Sequence, residues 1–133
     1  MALGLPLLRA ALLCERALYE ADGTLSIIRV VHAAALPASG AGRPVRLTLV
    51  VMLERGEAPS GAHTLRLSIE RPSGERVGHK QLELDLADGA TAQSTNVVLD
   101  VTFEPREEGA HWFRVAWDDD DALLARVPFT AVD

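Results

Sequence analysis

The chain has 133 residues, 48% of them apolar and 24% charged, with a net charge of −6; this balance suits one globular domain of residues 1–133 rather than a fibrous, disordered or membrane-spanning chain. The negative charge repels phosphate backbones, and Lys80 is the only lysine, so nucleic acid is not an expected partner. Cys14 stands alone, which excludes an intramolecular disulfide and a cysteine-rich metal site and fits a reducing, cytoplasmic compartment.

Met1 to Leu13 is apolar, but it lacks a basic leader and Arg9 interrupts it, so the segment is assigned to the fold and not to a secretory signal. No run reaches the roughly 18 apolar residues of a membrane-spanning helix, and no membrane association is expected. Between Leu5 and Glu20, Leu5, Leu8 and Leu12 fall at helical spacing among good helix formers. Local propensity therefore favours a short helix, with a strand over Leu7 to Cys14 as its rival, and Ala21-Asp22-Gly23 reads as a chain reversal.

From residue 24 onward the apolar residues alternate with period two, the mark of strands. Leu25, Ile27 and Val31 take one face while Ile28 and Val30 make the other apolar as well, which predicts a deeply buried central strand. Val45 to Leu53 and Leu65 to Ile69 alternate with polar residues and read as strands with one wetter face. Leu82 to Leu86 and Val97 to Phe103 give two more, and Trp112 to Trp117 with Leu123 to Val127 form a predicted hairpin across Asp118 to Asp121. Glycine and proline fall mostly between these runs, and Arg71-Pro72-Ser73-Gly74 has the chemistry of a tight turn joining antiparallel strands.

Three pieces taken together, Ala11-Leu12-Leu13-Cys14, Asp22-Gly23-Thr24-Leu25-Ser26-Ile27-Ile28 and Glu108-Gly109-Ala110-His111-Trp112-Phe113-Arg114-Val115, carry a resemblance over nearly the whole chain. The chain resembles a bacterial family known only as a domain of unknown function, whose members open on an ALLCD-type strand, turn through a Gly-Lys-Leu-type step and continue as NILG. Thr24 stands where that pattern has lysine. The resemblance implies a β-sandwich and tips the N-terminal segment towards a strand ending near Cys14. It implies no activity and no functional residues.

The run Asp118, Asp119, Asp120 and Asp121 is the one candidate metal site, because calcium prefers clustered carboxylate oxygens. Four consecutive residues cannot all face one ion, and a solvated hairpin tip, where Asp tolerates turn geometry and keeps an edge soluble, is the favoured account of them. His32, His63, His79 and His111 lie on separate segments without metal-ligand spacing. Cys14 sits among apolar neighbours, as a structural thiol would, and no serine lies in a nucleophile elbow. Trp112, Phe113 and Trp117 cluster on one strand and are the candidate interaction residues; alternation puts Trp112 on one face and the other two on the opposite one.

These readings converge on an all-β protein, an antiparallel β-sandwich of about eight strands, immunoglobulin-like or C2-like, with at most one short helix near the N-terminus. The expected function is a non-catalytic binding or assembly module that meets a protein partner or a second copy, without a cofactor; the alternative is a calcium- or ligand-sensing module built on Asp118 to Asp121.

Overall fold

The computed structural model describes residues 4–22, 24–35, 44–86, 94–105, 107–118 and 122–132. Among them are nine strands and no helix: β1 (Leu7–Tyr19), β2 (Leu25–Val30), β3 (Ala33–Ala35), β4 (Val45–Glu54), β5 (Gly61–Glu70), β6 (Arg76–Leu86), β7 (Ser94–Phe103), β8 (Gly109–Trp117) and β9 (Ala122–Val132). They form a four-stranded sheet in the order β2-β1-β4-β7 and a five-stranded sheet in the order β3-β9-β8-β5-β6. All pairings are antiparallel except β3 with β9, which run parallel. Non-sequential neighbours in both sheets, with β4-β7 facing β8-β5, make this the immunoglobulin-like form of the sandwich.

Inward residues of both sheets meet in one core. Leu49, Val51, Leu65, Val97, Phe113, Val115 and Phe129 are all buried, and Phe103 meets Phe113 and Phe129 edge to face at centroid distances of 5.2 and 5.4 Å. This is the consequence of period-two patterning on strands such as β5 and β8, each of which contributes one apolar row to the same interior.

The helix favoured by local propensity at the N-terminus does not form. Leu7 to Cys14 pairs with β4 and Cys14 to Tyr19 with β2, so the ladder bonds to these two strands, with the burial of Leu13 and Cys14, outweigh a propensity difference of a few tenths of a kcal/mol per residue. The strand also runs past Cys14, where the resemblance ended it.

β2 is a half-exposed edge strand and not the buried central one its double-sided apolar pattern predicted. β4 corrects the opposite way: Thr48, Leu49, Val50 and Val51 are all buried, so neither of its faces is wet along the middle. One arrangement accounts for both departures. Pairing of β1 with β4 ends at Cys14 and Thr48; beyond it, Arg29 takes the left-handed φ of 55°, and the Tyr19 hydroxyl donates to the Asn96 carbonyl of β7 at 3.1 Å. The outer half of the β1–β2 hairpin thus bends across the solvent side of β4, covering it while leaving Ile28 and Val30 exposed. β3 was missed because Ala33 to Ala35 carries no alternation; it exists only because the chain crosses there to the second sheet, where the Thr130 amide donates to the His32 carbonyl at 2.9 Å.

The Arg71–Gly74 turn forms as expected, with the Gly74 amide donating to the Arg71 carbonyl at 2.8 Å and Gly74 at φ 93°. Gly109 is more demanding: at φ 115° a Cβ would also lie 3.2 Å from Cγ of Pro72. Gly109→Ala is expected to cost about 2 kcal/mol or more, and Gly74→Ala, where a Cβ meets open space, nearer 1 kcal/mol, as read by denaturant unfolding. Equal losses would show that the contact with Pro72 adds nothing to the backbone strain.

Candidate functional site

Alternation along β8 divides the three aromatic residues. Phe113 and Trp117 are 0% and 2% exposed in the core, and Trp112 stands on the outer face, the division that alternation along the strand predicts. The physical reason is the pleat itself, which cannot bring residues an odd number of positions apart to one face.

The outer face around Trp112 is basic. Register places Arg76 opposite Glu70 across β5 and β6, Glu70 opposite Trp112 across β5 and β8, and Arg114 opposite Arg126 across β8 and β9. Two arginines directly opposite would repel. Glu70 resolves the conflict: its Oε2 accepts from Nη1 of Arg114 at 3.3 Å and its Oε1 from Nη2 of Arg126 at 3.1 Å, with Nε of Arg76 4.0 Å from Oε2. The Arg126 guanidinium also lies over the Trp112 ring, 4.0 Å from its centroid. Beside this group is a cavity of about 270 Å³ lined by Arg66, Ser68, Arg76, Gln81, Arg114 and Leu123.

The other end of the same face is tied down by Asp118. Its Oδ2 is 2.9 Å from Nδ1 of His63, its Oδ1 accepts the Thr64 amide at 2.9 Å, and its carbonyl accepts from Nη2 of Arg66 at 2.7 Å. These bonds hold Asp118 at φ 51° and fasten the start of the β8–β9 turn to β5. Nε2 of His63 faces the Pro59 carbonyl at 2.7 Å, and the ring stacks on Trp117 at 4.7 Å. With an acceptor at each nitrogen, the imidazolium is the form that satisfies both. Burial pulls the His63 pKa down, but the Asp118 carboxylate and the Pro59 carbonyl outweigh it and the net shift is upward. Burial pushes Asp118 up, yet the His63 and Thr64 hydrogen bonds prevail and its pKa falls below the usual value.

Both Asp118 carboxylate oxygens are therefore engaged within the protein, while Asp119, Asp120 and Asp121 lie outside the described residues. Among the described residues no group of three or more His, Cys, Asp or Glu is placed to hold a metal ion. The histidines do not converge: His32 is exposed beyond β2, the His79 side chain lies outside the described residues, and His63 on β5 stacks beside the Trp117 end of β8 while His111 lies near that strand's other end. Burial lowers the His111 pKa despite the Gly109 carbonyl beside its Nδ1. Cys14 is fully buried, burial raises its thiol pKa, and Sγ bonds to the Arg16 carbonyl at 3.3 Å, an unreactive setting.

The arginine face escaped the sequence reading, although Arg66 and Glu70 were legible as outward residues of β5. Four strands, in three pairings, had to be put in register before Arg76, Arg114 and Arg126 became neighbours. The available signal was charge itself: on a chain of net −6, arginine recurs at outward positions of β5, β6, β8 and β9.

A family-wide sequence model, described as a family of unknown function (DUF6941), matches residues 9–132. The chain belongs to this family. The family's span takes in both sheets, including the arginines around Glu70 and the Asp118–His63 contact. No curated protein sequence matches the chain. Among solved structures, the chain is similar to the CARDB domain of a Pyrococcus furiosus protein in complex with di-metal ions, at 11% identity and a TM-score of 0.49, over 99% of this chain and 93% of that one. An immunoglobulin-like protein from Pseudomonas aeruginosa matches at 16% identity and a TM-score of 0.40, over 98% and 99% of the two chains. A β-glucosidase from Listeria innocua in complex with glucose matches at 12% identity and a TM-score of 0.48 over 77% of this chain, which spans 15% of the enzyme's length.

Proposed function

We propose that the protein is a non-catalytic binding module that docks a protein partner on the outer face of its five-stranded sheet. The observation that carries this reading is the gathering of Arg76, Arg114 and Arg126 around the single carboxylate of Glu70, beside the Trp112 ring. Tryptophan and arginine are the residue types that most often anchor protein interfaces, since each offers a large, rigid contact area with polar groups at its rim. A non-catalytic role is supported by the state of the reactive groups: both His63 nitrogens face acceptors, and His111 and Cys14 are buried. Calcium sensing at Asp118 to Asp121 is the weaker reading, because the Asp118 oxygens already have protein partners.

Position-specific crosslinking in cells tests the docking face. A photo-reactive residue at Ser68, beside the arginines, is expected to capture a discrete protein, and capture is expected to disappear when Arg76→Glu is added. The same residue at Thr102, on the outer face of the other sheet, is the control. Equal capture from both positions, or capture indifferent to the Arg76 charge, would reject the reading.

A further inference from the structure

We infer that the segment this face accepts is an extended acidic stretch of a partner protein, with one of its glutamate or aspartate carboxylates seated in the cavity between Arg76 and Arg114. The inference rests on the docking face proposed above and adds the chemistry of its occupant.

Glu70 already demonstrates how the face reads a carboxylate. Arg114 and Arg126 approach its two oxygens separately, one each, and Arg76 flanks the group on the far side. Three guanidiniums around one carboxylate leave a surplus of positive charge, on a chain whose net charge is −6. Each guanidinium carries five donors in a planar fork, so neither Arg114 nor Arg126 is used up by one bond to Glu70.

Two of the three charges are also ordered before any partner arrives. The Arg114 side chain is only 23% exposed and is held by Glu70, and Arg126 is held by Glu70 and the Trp112 ring, so little side-chain entropy remains to be lost on binding. Carboxylate recognition by pre-ordered forks is the chemistry in which arginine surpasses lysine. Leu123, exposed at the cavity's edge, gives the stem of an incoming glutamate an apolar wall.

Charge layout selects a narrow occupant over an anionic membrane. Glu83 and Asp85 lie on the same outer face of β6, opposite Thr64 and Ala62. Glu83 is two residues from Gln81 at the cavity, about 7 Å along the strand. A planar lipid surface would press its negative headgroups onto these carboxylates, whereas a single extended segment crossing the strands at the arginine end avoids them.

The test is a fluorescence-anisotropy titration of the full chain with a labelled decapeptide of alternating glutamate and serine. Its partners are the same peptide with glutamine for glutamate, and phosphatidylserine vesicles. Binding is expected for the glutamate peptide alone, weakening at least about tenfold between roughly 50 and 500 mM salt. Arg76→Glu, at an exposed arginine remote from the core, is expected to weaken it at least about tenfold, while Arg46→Glu on the opposite sheet leaves it unchanged. Equal binding of the glutamine peptide, or vesicle binding without peptide binding, overturns the inference. So does concentration-dependent self-association that Arg76→Glu abolishes, which would give the face to a second copy. Capture at Ser68 together with failure of the glutamate peptide would keep the docking face and reject its acidic occupant; failure of both rejects both.

Discussion

Phe113→Ala is expected to lower stability by about 3–5 kcal/mol, a loss of roughly 10–20 °C in melting temperature for a domain of this size. Phe113 is fully buried between the sheets with its ring edge to face against Phe103, so truncation removes both transfer free energy and packing contacts. A loss of that size is a large part of the 5–15 kcal/mol by which a typical domain is stable. Phe113→Leu keeps most of the volume and is expected to cost nearer about 1.5 kcal/mol, so the comparison survives if the alanine variant does not fold. The adjacent Trp112→Ala removes a ring that lies under Arg126 on the outer face, and is expected to cost less than about 1.5 kcal/mol. Chemical unfolding of the three variants checks the division of labour: similar losses for Phe113→Ala and Trp112→Ala would mean that Trp112 is packed and not presented.

The second large effect is a pH dependence located at His63. Its folded pKa lies above the unfolded value of about 6.5, so the stability it contributes is fully present below pH 6.5 and is lost as pH rises through the folded pKa. Asp118 acts in the opposite sense, its folded pKa being depressed: its contribution is present above the ordinary carboxylate range and is lost as pH falls through the folded value. Together they define a window in which imidazolium and carboxylate coexist, closed at the acid end by Asp118 and at the alkaline end by His63. His111, depressed by burial, adds stability above pH 6.5 and partly masks the His63 decline in the intact protein.

The clamp is therefore read as a difference. The stability of the wild type minus that of His63→Gln is expected to be greatest near pH 5–6, about 2 kcal/mol or more from two bonds to a charged donor, and to shrink steadily towards pH 9. Asp118→Asn is expected to flatten the same difference. A difference that stays constant from pH 5 to pH 9 would show that His63 is neutral throughout and acts only by stacking on Trp117.

Period-two patterning was enough to locate seven of the strands and the turn at Arg71 to Gly74, because a long strand with one buried face must alternate whatever its neighbours are. It also divided Trp112 from Phe113 and Trp117, since the pleat acts within a single strand. Where the sequence pattern was ambiguous, neighbours decided. The Leu7 to Tyr19 segment has helical spacing, yet two partner strands bind it; β2 and β4 exchange their expected burial because one lies at an edge and the other beneath a bent hairpin; and β3 forms from three alanines only where the chain changes sheets. The candidate site belongs wholly to this second category. Glu70, Arg76, Arg114 and Arg126 come from four strands spread over 57 residues of sequence, and their charges act on one another only at the few ångströms that sheet register imposes. The chain alone thus determined that there would be a sandwich with an interior of alternating leucine and valine rows, while the order of strands within each sheet determined which charges meet on its surface.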